Sequence, residues 1–117
     1  MSRSDDSSIP MRGEVWDVAI PRIGPHLAVV LTINELRGRF HETTVALVTG
    51  TSGPRLTHIP VGPDSGLTKY DESYVNVTNL FSIPTSRFRV RRGLLHRKEM
   101  NAVESGIRLT LGLGSTD

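Results

Sequence analysis

The chain has 117 residues, enough for one domain with a modest core, and its 14 Lys and Arg against 12 Asp and Glu leave a formal net charge of +2. With 37% hydrophobic and 22% charged residues it falls outside the disordered class. No apolar run approaches the roughly 20 residues of a bilayer span, and the lack of cysteine excludes disulfides, thiolate nucleophiles and cysteine metal sites.

Residues 1–11 open with a Ser- and Asp-rich stretch that lacks the apolar core of a secretory signal, so they are expected to form a flexible tail ahead of a single domain over 12–114, in a cytoplasmic protein without a membrane segment. In Gly13-Glu14-Val15-Trp16-Asp17-Val18-Ala19-Ile20 the period-two placement of Trp16, Val18 and Ile20 predicts a first strand with one buried side. After a short connection through Pro21, Gly24 and Pro25, the run Leu27-Ala28-Val29-Val30-Leu31 predicts a strand buried on both faces and central to the sheet. Asn34 to Glu42 reads as an exposed basic loop with a helical turn. Val45-Ala46-Leu47-Val48, closed by Thr49-Gly50-Thr51-Ser52, predicts a third strand that a small barrel would pair with the second.

Leu56 to Val61 predicts a strand that Pro60 confines to an edge or an end, because proline cannot donate to a ladder. Gly62 to Ser73 reads as a long surface loop. Tyr74 to Asn79 alternates, with Val75 and Val77 on one face and Asn76 and Thr78 on the other, and continues through Ile83 to a turn at Pro84-Thr85-Ser86. Phe88 and Val90 alternate with arginines in a last strand. Met100, Val103, Ile107 and Leu111 then follow at helical spacing, with Gly112 as the stop. Short strands followed by one terminal helix predict a mainly β (α+β) fold, a small twisted sheet or half-open barrel with the helix across it.

Arg87, Arg89, Arg91, Arg92, Arg97 and Lys98 form a basic segment, which suits either a polyanion or a charged strand edge that resists aggregation. The sequence has no phosphate-cradling glycine loop, nucleophile elbow or metal-spaced cluster, so neither cofactor nor metal is expected. His41, His58 and His96 lack a partner acid at ligand spacing and read as surface or edge residues. His26 stands at the lip of the central strand, with a side chain suited to proton transfer.

Taken together, Arg12-Gly13-Glu14-Val15-Trp16, Ala28-Val29-Val30-Leu31-Thr32, Val48-Thr49-Gly50-Thr51-Ser52, Thr57-His58-Ile59-Pro60-Val61, the strand through Ile83, and Gly93-Leu94 leading to a helix that ends Leu109-Thr110-Leu111-Gly112-Leu113 resemble the MazF/PemK family of toxin endoribonucleases over Arg12 to Leu113. The resemblance implies an SH3-like barrel of the MazF/PemK/CcdB type, a homodimer, a cognate antitoxin, DNA binding together with that antitoxin, and metal-independent cleavage of single-stranded RNA. It aligns His26 and Thr49 with the family's catalytic pair, His26 standing where members carry arginine. The loop before it is short, Arg22-Ile23-Gly24-Pro25, and Thr78-Asn79-Leu80-Phe81 stands where members often have Asp-Gln and a basic residue. On this reading His26 transfers the proton and the Thr49 hydroxyl holds the phosphate. Gly24, Pro25, Thr51, Ser52 and Asn79 line the substrate groove, and Tyr70 offers a stacking surface. The second reading is a non-catalytic relative on the same barrel, acting as a gyrase poison or an RNA- or protein-binding module.

Overall fold

The apolar run that begins at Leu27 forms one of the two central strands of the sheet. The computed structural model describes residues 9–62, 67 and 72–114. Its strands are β1 (Glu14–Ile20), β2 (Gly24–Val30), β3 (Glu42–Thr49), β4 (His58–Val61), β5 (Ser73–Pro84) and β6 (Phe88–Leu94), followed by helix α1 (Arg97–Leu111). All neighbours are antiparallel, in the order β4-β5-β3-β2-β1-β6. The predicted helical turn in the loop after β2 is a 3-10 turn at Asn34–Leu36.

Alternation along β2 divides the interior in two. Leu27 and Val29 face one core with Val15, Ala46, Val48, Val75, Val77 and Val103 of α1, while Ala28 and Val30 face the other with Trp16, Val18, Val45, Leu47, Ile83 and Phe88. Each strand side chain is sent to the face opposite that of its neighbour, so the uninterrupted apolar run of β2 follows from a strand covered on both sides. No helix belongs to the second core, which is closed instead by the far half of β5 and by β6, with the Trp16 and Phe88 rings edge to face at 5.9 Å. β1 is thereby buried on both faces at Val15 and Trp16, not on one as its alternation suggests, because Val15 reaches the α1 side.

The Arg12-Gly13-Glu14-Val15-Trp16 stretch works as a structural knot. The Arg12 guanidinium donates to the Leu31 carbonyl and to Glu104 of α1 at 2.6 Å. Glu14 accepts from the Met11 amide at 2.8 Å and the Trp16 indole at 2.9 Å through one carboxylate oxygen, and from Arg91 at 2.8 Å through the other. Contacts also begin earlier than the expected tail boundary: Pro10 is buried, and the Ile9 carbonyl accepts from Arg37 at 2.9 Å.

β5 changes its partner register midway. Leu47 pairs with Asn76 but Ala46 pairs with Leu80, so Val77, Thr78 and Asn79 form a bulge. The Asn76 side-chain oxygen holds it by accepting from the Thr78 amide at 3.0 Å and the Thr78 hydroxyl at 2.6 Å, a local bond that competes with the ladder.

α1 lies against β4 and β5. Glu99 accepts from the His96 amide at 2.8 Å and the Gly62 amide at 2.9 Å, fastening the helix start to the end of β4. His96 is therefore the residue that caps α1. Val103 is buried as the spacing predicts, and Gly112 ends the helix with φ 67°. Leu111 departs from the prediction: it is 54% exposed, at the rim of a groove that it shares with Leu31, Thr44 and Leu80, and Leu109 and Leu113 are exposed as well. Gly106 meets the chain preceding β4 so closely that a Cβ there would lie 2.7 Å from the Leu56 carbonyl oxygen.

Candidate functional site

β2 and β3 run together through Val30–Val45, Val29–Ala46 and Ala28–Leu47, and their pairing stops there. Beyond that point β2 stays with β1, as His26 pairs with Val18, and β3 stays with β5, as Thr49 pairs with Tyr74. The sheet therefore forks. Carrying the β2–β3 register two residues further sets His26 opposite Thr49 across the fork, and both are half-buried. By alternation they lie on the face of Ala28 and Leu47, away from the α1 core. The arrangement is a notch in the sheet, a gap in the ladder between β2 and β3 beyond the Ala28–Leu47 pair.

The His26 Nδ1 lies 3.0 Å from the Leu27 carbonyl oxygen. A carbonyl only accepts, so Nδ1 carries the hydrogen, and in the neutral ring Nε2 holds a free lone pair. The Thr49 hydroxyl accepts from the Thr51 amide at 3.1 Å and keeps its own hydrogen for another acceptor. The connections that adjoin these positions are residues 21–23 between β1 and β2 and residues 50–57 between β3 and β4. At the first, the Ile23 amide donates to the Ile20 carbonyl at 3.0 Å and Arg22 takes φ 72°.

Gly24 and Pro25 begin β2 opposite Ile20 and Ala19, beside His26. Thr51 and Ser52 are exposed on the turn after Thr49. Asn79 is exposed in the β5 bulge, further along the sheet than the Thr49–Tyr74 pair, and it is not brought to the notch. Tyr70 lies outside the described residues, as does most of the predicted Gly62 to Ser73 loop.

A cleft of about 560 Å³ adjoins the notch on the β4 side, lined by Ser52, Arg55, His58, Glu72, Ser73 and Tyr74 among others. Tyr74 pairs with Thr49 on one side and Pro60 on the other, and His58 pairs with Asn76, so these cleft residues share the notch face of the sheet, while Ser73, paired with Val61, is turned to the α1 core. The Tyr74 hydroxyl donates to Glu72 at 2.5 Å. That bond, then desolvation and the Glu72 charge, raise the phenol above its ordinary range, while Arg55 opposes them. The His58 ring takes a hydrogen bond with Thr57 at 2.9 Å and packs where a Cβ on Gly53 would come within 2.6 Å of it. Sequence reading passed over Arg55, Glu72 and Tyr74 and set His58 aside. The alternation that puts Asn76 on the polar face also puts Tyr74 there, and that was the available signal.

The basic segment is divided in its use. Arg91 pairs with Glu14 at 2.8 Å and Arg92 with Asp17 at 2.6 Å, while Arg89 donates to the Ser86 carbonyl at 2.8 Å. These arginines serve the β1–β6 edge, at the opposite end of the strand order from β4. Among the described residues no three His, Cys, Asp or Glu converge on a position that could hold a metal ion, and no helix is long and apolar enough to cross a membrane.

A family model of PemK-like, MazF-like toxins of type II toxin-antitoxin systems matches residues 11–111. A search of curated protein sequences found no match. Among solved structures, an endoribonuclease in complex with its cognate antitoxin from a Mycobacterial species is similar at TM-score 0.81 and 21% identity, over 92% of this chain and 99% of that one. The Mycobacterium tuberculosis toxin MazF-mt6 is similar at TM-score 0.78 and 22% identity, over 87% and 99%. The MazE-MazF structure (Form-II) from Deinococcus radiodurans gives TM-score 0.75 and 15% identity, over 91% and 98%. The agreement is one of fold: a mainly β barrel-like sheet with a single C-terminal helix, as the sequence predicts.

Proposed function

Because this chain belongs to the family of PemK-like, MazF-like toxins of type II toxin-antitoxin systems, we propose that it is an endoribonuclease that cuts single-stranded RNA at the fork between β2 and β3. The observation that supports this reading is that His26 and Thr49 each stand two residues past the last β2–β3 pair, with Nδ1 of His26 committed to a carbonyl and Nε2 left to accept a proton.

RNA supplies its own nucleophile. In the proposed reaction Nε2 of His26 removes the 2'-hydroxyl proton and the 2'-oxygen attacks the adjacent phosphorus. The bond to the 5'-oxygen breaks, leaving a 2',3'-cyclic phosphate and a 5'-hydroxyl. The departing oxygen lies on the far side of the phosphorus in an in-line displacement and takes its proton from water, to which the notch is open. The Thr49 hydroxyl donates to a non-bridging oxygen as its charge grows, the kind of stabilisation that matters most in a transition state. Thr51, Ser52, Gly24 and Pro25 form the walls of the notch, with Asn79 further along the RNA path. No metal takes part in this scheme.

The chain acts as a homodimer, and a cognate antitoxin silences it by covering the notch; a relative of the same fold is an endoribonuclease held in complex with its cognate antitoxin. Incubating the purified protein with mixed-sequence RNA in excess chelator tests the reading. Discrete fragments ending in 2',3'-cyclic phosphate are expected. Intact RNA that the protein binds saturably would contradict it and favour a non-catalytic binder on the same barrel.

A further inference from the structure

The cleft beside β4 has features that the cutting chemistry leaves unused. The cleft carries an acceptor-only carboxylate (Glu72), a donor-only guanidinium (Arg55) and an aromatic ring (Tyr74). Ser73, only 4% exposed, lines it too, but it pairs with Val61, and alternation turns its hydroxyl, which has no partner among the described residues, to the face opposite Tyr74. Tyr74 pairs with Thr49, one strand over at the ordinary spacing of about 5 Å, which places the cleft beside the notch. RNA with its scissile phosphate in the notch would therefore lay a neighbouring base over the cleft.

We infer that this cleft is a specificity pocket for a guanine next to the cut; the inference rests on the ribonuclease reading. Of the four bases, guanine alone presents two adjacent donors, N1–H and the 2-amino group, on its Watson–Crick edge, which match the two oxygens of Glu72. Its O6 and N7 accept from a guanidinium, the pairing that arginine makes with guanine, and here Arg55 supplies it. Adenine, cytosine and uracil each set a ring acceptor or carbonyl oxygen beside their donor, which a carboxylate repels. Tyr74 stacks on the base, as aromatic side chains do with unpaired RNA bases.

The test is binding of the four nucleoside 5'-monophosphates to the full chain, followed by amide NMR shifts at Ser73 and Tyr74, with Glu72→Gln and Arg55→Ala as variants. Both positions are exposed, so both variants should fold. GMP is expected to bind at least about fivefold more tightly than AMP, CMP or UMP, and each variant is expected to reduce that preference. Equal binding of the four, no binding, or a GMP preference untouched by both variants would overturn the inference. If RNA is cut, guanine should be enriched adjacent to the cut, and its absence there would likewise overturn it. A GMP preference in a protein that leaves RNA intact would keep the pocket and reject the nuclease.

Discussion

His26→Ala abolishes RNA cleavage, a loss of about 10²–10⁴-fold if the imidazole is the proton-transfer group, while the fold survives. Both halves of this expectation come from local geometry. The His26 ring makes its hydrogen bond to the carbonyl of the next residue, and the β1–β2 pairing around it is carried by backbone. The ring is half-buried at a strand end, beyond the last Ala28–Leu47 pair, so removing it opens no cavity in either core. Circular dichroism and thermal melting should match the parent chain while fragment yield falls to background. Unchanged cleavage would move proton transfer to another group, and a collapsed melting transition would make His26 a structural residue.

The second large effect is on stability. Gly106→Val should lower it by about 3 kcal/mol, moving the melting midpoint down on the order of 10–20 °C for a domain of this size. A side chain at this buried position meets the Leu56 carbonyl oxygen at 2.7 Å and Val77 at 3.3 Å, and neither can swing aside as the end of a flexible side chain could. Gly106→Ala should cost less, because alanine regains about 1 kcal/mol of helix propensity over glycine. The ordering glycine, alanine, valine is thus the specific expectation. Equal melting of all three would mean that α1 does not approach the chain before β4 as closely as the structure places it.

Gly106 also marks where sequence reading stops. Within the helical pattern it looks like a weakness, and only the neighbouring carbonyl explains it. The strands were legible because apolar alternation is a property of consecutive residues, as in Trp16, Val18 and Ile20, or in the double-sided run of β2. The edge position of β4 was legible from Pro60. Long-range geometry was not. That β2 and β3 separate after Ala28–Leu47, that Tyr74 stands beside Thr49, and that Arg91 and Arg92 are engaged by Glu14 and Asp17 all depend on register between segments far apart in the chain. Leu111 is a similar case: helical period assigns it to the buried stripe, but it stands at the rim of an open groove beside Leu31, Thr44 and Leu80 and stays exposed.

A crystal structure with an oligoribonucleotide carrying a 2'-deoxy nucleotide at the mapped cleavage position addresses the central claim most directly, since such a strand lacks the attacking hydroxyl and stays whole. The phosphate that follows the substituted sugar should sit in the fork, one non-bridging oxygen within hydrogen-bond reach of the Thr49 hydroxyl and the sugar 2'-carbon turned toward Nε2 of His26. Finding that phosphate elsewhere, for instance on the exposed arginines of β6, with the fork between β2 and β3 empty, would contradict the account.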